Sequence, residues 1–157
     1  METVATAPAE TGHALLIERV FDAPPSLVFR LWSDPARVKE WWHPENFETT
    51  RFDMDFRVGG SYRFNAVSTT SSHSAHGVYR EIVVPERIVM TFEWEGTGPY
   101  AGKETLITID FAPHGDRQTL LSFRQEPFVT RDGRDDHVKG WSQVLDSFAA
   151  TLAGERS

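Results

Sequence analysis

The chain has 157 residues, a formal charge of −7 and no cysteine. An acidic balance without clustered Lys and Arg speaks against nucleic acid and anionic membrane as partners, because phosphate has to be met by grouped cations. Lack of cysteine excludes disulfides, thiolate catalysis and cysteine-ligated zinc, while five Trp and eleven Phe call for a folded, well-filled core in a single domain.

Residues 1–12 are small and polar, with neither a basic start nor an apolar run, and are expected to trail as a tail without signal-peptide character. With no apolar run long enough to span a bilayer, a cytoplasmic, non-membrane protein is the expectation. The domain proper should occupy 13–153. Ala14 to Phe21 reads as a first strand, stopped by Asp22-Ala-Pro-Pro25, where a proline suits the first turn of a helix. Leu27, Val28, Leu31 and Trp32 share one face of that helix. Ser33-Asp34-Pro35 ends it and opens a second, with Asp34 as cap, carrying Val38, Trp41 and Trp42. Neighbouring positions on a helix lie about 100° apart, so only one of the two adjacent tryptophans is expected to point into the core.

After His43-Pro44 the apolar period changes from 3.6 to 2. Strands are expected over Phe47–Phe56, through Tyr62 and Phe64 after the Val58-Gly59-Gly60 turn, over Gly77–Val84, and over Arg87–Trp94, where Ile88, Met90, Phe92 and Trp94 alternate. Two more follow, through Thr105, Ile107, Ile109 and Phe111, and through Thr119, Leu121 and Phe123. Ser68 to Ser74 reads as a polar hairpin tip, and the glycines 96, 98 and 102 mark another hairpin. Between 77 and 83 both faces are chemically mixed, so facing is open there. A last helix, Asp135 to Leu152, carries an apolar stripe at Val138, Trp141, Leu145, Phe148 and Leu152, with Asp135 or Asp136 as cap and Gly154 closing it before a tail at 154–157. The whole is an α+β arrangement: a curved antiparallel sheet of about seven strands around a long C-terminal helix, with two short helices between the first and second strands.

Motif by motif, chemistry is sparse. His73 and His76 have odd separation on a strand, which sends their rings to opposite faces and argues against a metal site. Gly59-Gly60 after Asp55 suits backbone geometry better than catalysis. Gly96 to Gly102 lacks the following helix that a phosphate loop needs. No metal and no cofactor are implied.

Phe21-Asp-Ala-Pro-Pro25, Lys39-Glu-Trp-Trp-His-Pro44, Asp55-Phe-Arg-Val-Gly-Gly60, Gly77-Val-Tyr-Arg-Glu81 with Pro85-Glu-Arg87, and Gly140-Trp141 carry a resemblance. In this order they resemble the START-like (SRPBCC) helix-grip superfamily, and within it the bacterial homologues of the heat-shock-chaperone ATPase activator. The resemblance implies the helix-grip fold and, as function, binding of a small hydrophobic or amphipathic molecule between the last helix and the sheet. The same scaffold carries cyclase- or hydrolase-like enzymes and chaperone-interaction modules, which are the alternatives; the acidic surface disfavours a chaperone partner. The oligomeric state is left at monomer or homodimer. Candidate lining residues are Phe64, Met90, Phe92, Trp94, Ile107, Ile109, Phe123, Trp141 and Leu145, with polar groups from Tyr62, His76, Tyr79 and Thr108. Trp42 and His43 are expected at the mouth, His43 standing where many relatives have glycine and positioned to orient a carboxylate-bearing guest.

Overall fold

The computed structural model describes residues 12–156; the expected tail at 1–12 lies outside them except for Gly12. β1 (His13–Phe21) leads into α1 (Pro25–Ser33) and α2 (Pro35–Trp41). Six strands follow: β2 (Glu48–Met54), β3 (Ser61–Val67), β4 (Ser72–Val83), β5 (Arg87–Trp94), β6 (Thr105–His114) and β7 (Gln118–Phe128). α3 (Arg131–Arg156) closes the chain. The strands form one antiparallel sheet in the order β1-β7-β6-β5-β4-β3-β2, a meander whose last strand returns to pair with the first. Among the described residues, no helix is long and apolar enough to cross a membrane.

Local chemistry sets each boundary of the short helices. Pro24 and Pro25 start α1, whose buried face is Val28, Phe29, Leu31 and Trp32. The Asp34 backbone is extended and cannot continue α1. Its side chain instead accepts the Ala36 N–H at 3.1 Å and opens α2, with Pro35 at the first position. Against expectation, both tryptophans are buried, Trp41 at 0 % and Trp42 at 3 % exposure. The 100° rule fails because Trp42 lies past the helix end, at φ −81°, ψ 70°, where its ring is free to turn inward.

Register brings the alternating apolar positions together. Ile88, Met90 and Phe92 on β5 lie opposite Ile109, Ile107 and Thr105 on β6, so one face of the sheet is apolar but for the Thr105 hydroxyl. On β4 a register shift between Tyr79 and Glu81 moves the inward set from Ala75, Gly77 and Tyr79 to Ile82. β4 also begins earlier than expected, at Ser72, taking in the end of the polar tract.

α3 is longer than its stripe suggested. Thr130 Oγ1 accepts the Gly133 N–H at 2.9 Å, capping the helix one turn before Asp135. Gly154 sits within the helix rather than closing it. With 26 residues the rod is about 39 Å long. Arg19 reaches Asp146 at 2.9 Å and Arg37 reaches Glu155 at 2.7 Å, anchoring its middle and far end to β1 and α2. Over that far half the space between helix and sheet is filled. Trp32 packs on Trp41, Phe111, Phe123 and Phe148 with ring centres 4.6–6.5 Å apart.

Candidate functional site

Filling stops at the amino-terminal half of α3. There a cleft of about 790 Å³ lies between the helix, the ends of β3, β4 and β5, and the loop joining β5 to β6. Its floor and walls are aromatic: Trp42, Phe64 and Trp141 below, Trp94 and Phe47 at the sides. Trp42 stands edge-on to Trp141 at 5.4 Å and to Phe64 at 5.8 Å. The roof is Gly96 to Ala101. Gly140 lies on the helix wall, and a Cβ built on it would meet nothing within 4 Å. The close backbone packing that a glycine inside a helix suggests is not there; the absent side chain leaves space in the cleft.

Beneath the floor runs a buried polar chain. The Trp141 indole N–H donates to Gln125 Oε1 at 2.7 Å, the Gln125 amide donates to Thr105 Oγ1 at 2.8 Å, and the Thr105 hydroxyl donates to the Phe92 carbonyl at 3.1 Å. Gln125 is fully buried, so every link answers a polar group that water cannot reach. Trp141 is thereby fixed in orientation and not merely packed.

Two contacts close the end of the cleft, made by His137 and Tyr100, neither of them among the residues expected there. Trp94 Nε1–H donates to His137 Nε2 at 2.9 Å. An indole can only donate, so this nitrogen must accept. The proton then sits on Nδ1, which donates to the Gly133 carbonyl at 2.7 Å. Burial pushes the His137 pKa below its ordinary value, with the Gly133 carbonyl and Asp136 opposing. Beside it the Tyr100 hydroxyl, on the roof, donates to Asp136 Oδ2 at 2.5 Å, and the Tyr100 ring lies 4.9 Å from the His137 ring. His137 sits four residues before Trp141, on the helix face that the stripe uses, and that spacing is the signal that would have found it.

Of the fifteen residues expected at the site, Trp42, Phe64, Trp94 and Trp141 line the cleft. Met90, Phe92, Ile107, Ile109, Phe123 and Leu145 do not; all are buried in the filled core. Tyr62 and Tyr79 also lie buried away from the cleft. The Tyr62 hydroxyl donates to the Thr91 carbonyl at 2.5 Å, and burial raises both phenols well above the ordinary tyrosine value. His76 and Thr108 fall on the outer face of the sheet, because each alternates with inward neighbours, Ala75 and Gly77 in one case and Ile107 and Ile109 in the other. His43 turns from the cleft toward the middle of α3, its Nε2 3.2 Å from the Glu40 carbonyl and 3.5 Å from Ser147 Oγ. The imidazoles at the cleft are instead His73, opposite in facing to His76 as strand alternation requires, and His137.

Residues 22–153 match the family model described as activator of Hsp90 ATPase homolog 1-like protein. Among solved structures, a Chromobacterium violaceum protein is 30 % identical, with a TM-score of 0.79 over 87 % of this chain and 94 % of that one. An AHSA1 protein from Silicibacter pomeroyi is 25 % identical, with a TM-score of 0.82 over 91 % of this chain and 99 % of its own. An Arthrobacter aurescens protein at 18 % identity and TM-score 0.79, covering 95 % and 90 %, shares the fold. No curated protein matches the chain significantly.

Proposed function

We propose that this chain, which belongs to the family of activator of Hsp90 ATPase homolog 1-like proteins, binds a small apolar or amphipathic molecule in the cleft at the amino-terminal half of α3. The observation that carries this reading is the contrast between the two halves of the helix. Where a fold needs only a core, aromatic side chains fill the space, as they do around Trp32. At Gly140 the helix instead gives up a side chain, at a cost of about 1 kcal/mol in helix propensity, and leaves an aromatic-walled space open to a guest.

Binding of the neutral dye Nile red tests it. The parent protein should enhance the dye's emission, and Gly140→Trp should abolish this by filling the cleft while remaining folded, since nothing stands where its side chain begins. Dye uptake unaffected by Gly140→Trp, or none in the parent, would overturn the reading. The family's name favours a second reading, stimulation of a chaperone ATPase. An ATPase assay with the purified chaperone separates the two, because filling the cleft should leave a surface interaction intact.

A further inference from the structure

Resting on the reading of the cleft as a binding site, its charges and rings indicate which guests it takes. Among the described residues, no Lys or Arg lines it, and its two carboxylates are Asp136 on α3 and Glu95 just past β5. Glu95 is answered from the outer face of the sheet: Arg63 donates to it twice at 2.8 Å, and His76 Nδ1 lies 3.0 Å away. Among the described residues, the hydrogen-bond partner of Asp136 is the neutral Tyr100 hydroxyl, which satisfies a lone pair without countering the charge. Arg134, two residues before it on α3, is turned to Asp135 at 3.0 Å. Asp132 adds the same sign close by.

The walls reinforce this polarity. The π faces of Trp42, Trp94 and Trp141 carry negative quadrupole charge, attractive to a cation and repulsive to an anion. The imidazole of His137 is committed as an acceptor toward Trp94 and turns no N–H to an anion. His73, the other imidazole, lies between Phe47 at 5.8 Å and Trp94 at 6.3 Å, at the exposed edge.

We propose that the cleft selects an organic cation, an amine or quaternary ammonium on an apolar body, with the charge held between Asp136 and the tryptophan rings. This replaces the carboxylate-bearing guest that His43 at the mouth would have suited.

Three probes with one naphthalene body test it by calorimetry at low salt: (2-naphthylmethyl)trimethylammonium, 2-naphthylmethanol and 2-naphthoate. The ammonium should bind about tenfold more tightly than the alcohol, the scale of a cation–π contact with one partly exposed carboxylate, and the naphthoate most weakly. Asp136→Asn, which keeps an acceptor for Tyr100, should bring the ammonium-to-alcohol ratio down to about threefold, the share left to the rings. Equal binding of ammonium and alcohol, tightest binding of the naphthoate, or a ratio untouched by Asp136→Asn would overturn the cation proposal and leave the binding site standing. Failure of all three probes together with Nile red would overturn both.

Discussion

Two glycines show how the same residue serves opposite ends. A Cβ on Gly77 would lie 1.9 Å from the Thr91 carbonyl oxygen and 2.7 Å from the Tyr62 ring, and neither strand backbone nor a buried, hydrogen-bonded tyrosine can withdraw. Gly77→Ala should therefore cost about 3 kcal/mol, the upper range for overpacking, in equilibrium urea denaturation. Gly140 has open space instead, so Gly140→Ala should stabilise by about 1 kcal/mol and raise the melting temperature by about 2–4 °C. A drop on Gly140→Ala would mean that the helix wall is tighter than its geometry. Trp141 combines packing with polarity. Trp141→Ala should cost about 3–5 kcal/mol, and Trp141→Phe, which keeps the ring but strands buried Gln125, about 1–3 kcal/mol. A Phe variant as stable as the parent would show that the amide finds another partner.

Among the elements, α3 ties its amino end to the sheet through a neutral histidine. Protonating His137 would set an N–H against the Trp94 N–H, and burial already disfavours the charged form. Its folded pKa lies below the ordinary 6.5, so the unfolded chain takes up more protons as the medium acidifies. The bond's contribution is complete above that value and is lost as pH falls through it toward the folded pKa. Asp136 beside it narrows the window without reversing the sign. Urea titrations from pH 7.5 to 5 should show the parent losing stability relative to His137→Gln, which accepts from Trp94 without titrating. Parallel pH profiles would remove His137 from the account. Glu95, held below its ordinary 4.5 first by Arg63, loses its contribution only at still lower pH and does not enter this range. The elements differ in how openly the sequence states them. β5 announces its facing because every second residue is large and apolar. β4 conceals its own, since Gly77 and Tyr79 mix with charged neighbours and the shift after Tyr79 reverses the alternation midway. The ends of α3 escape the apolar pattern because its cap, Thr130, and its first turns hold no apolar residue, while Gly154 continues the helix instead of stopping it.

Over the whole molecule, the order of elements and the antiparallel sheet could be read from periodicity and turn chemistry, whereas the cleft could not. Which apolar residues fill a core and which surround a space is decided by three-dimensional coincidence: the end of α2 turning Trp42 inward, the roof descending with Tyr100, a helix position left bare at Gly140. That coincidence also divides the cleft into two materials. Its floor is continuous with the interlocked rings of Trp42, Trp141, Phe123 and Trp32, whereas Gly96 to Pro99 in the roof are exposed and joined to α3 chiefly through Tyr100. Deuterium should enter the roof amides within the shortest labelling times and the Trp141 turn of α3 only over hours, and a guest should slow the former without touching the latter. The molecule would then recognise by an unyielding base and accommodate by a pliant cover. Guests differing in the portion set against the tryptophans should be sorted sharply, and those differing in the portion under the glycines hardly at all.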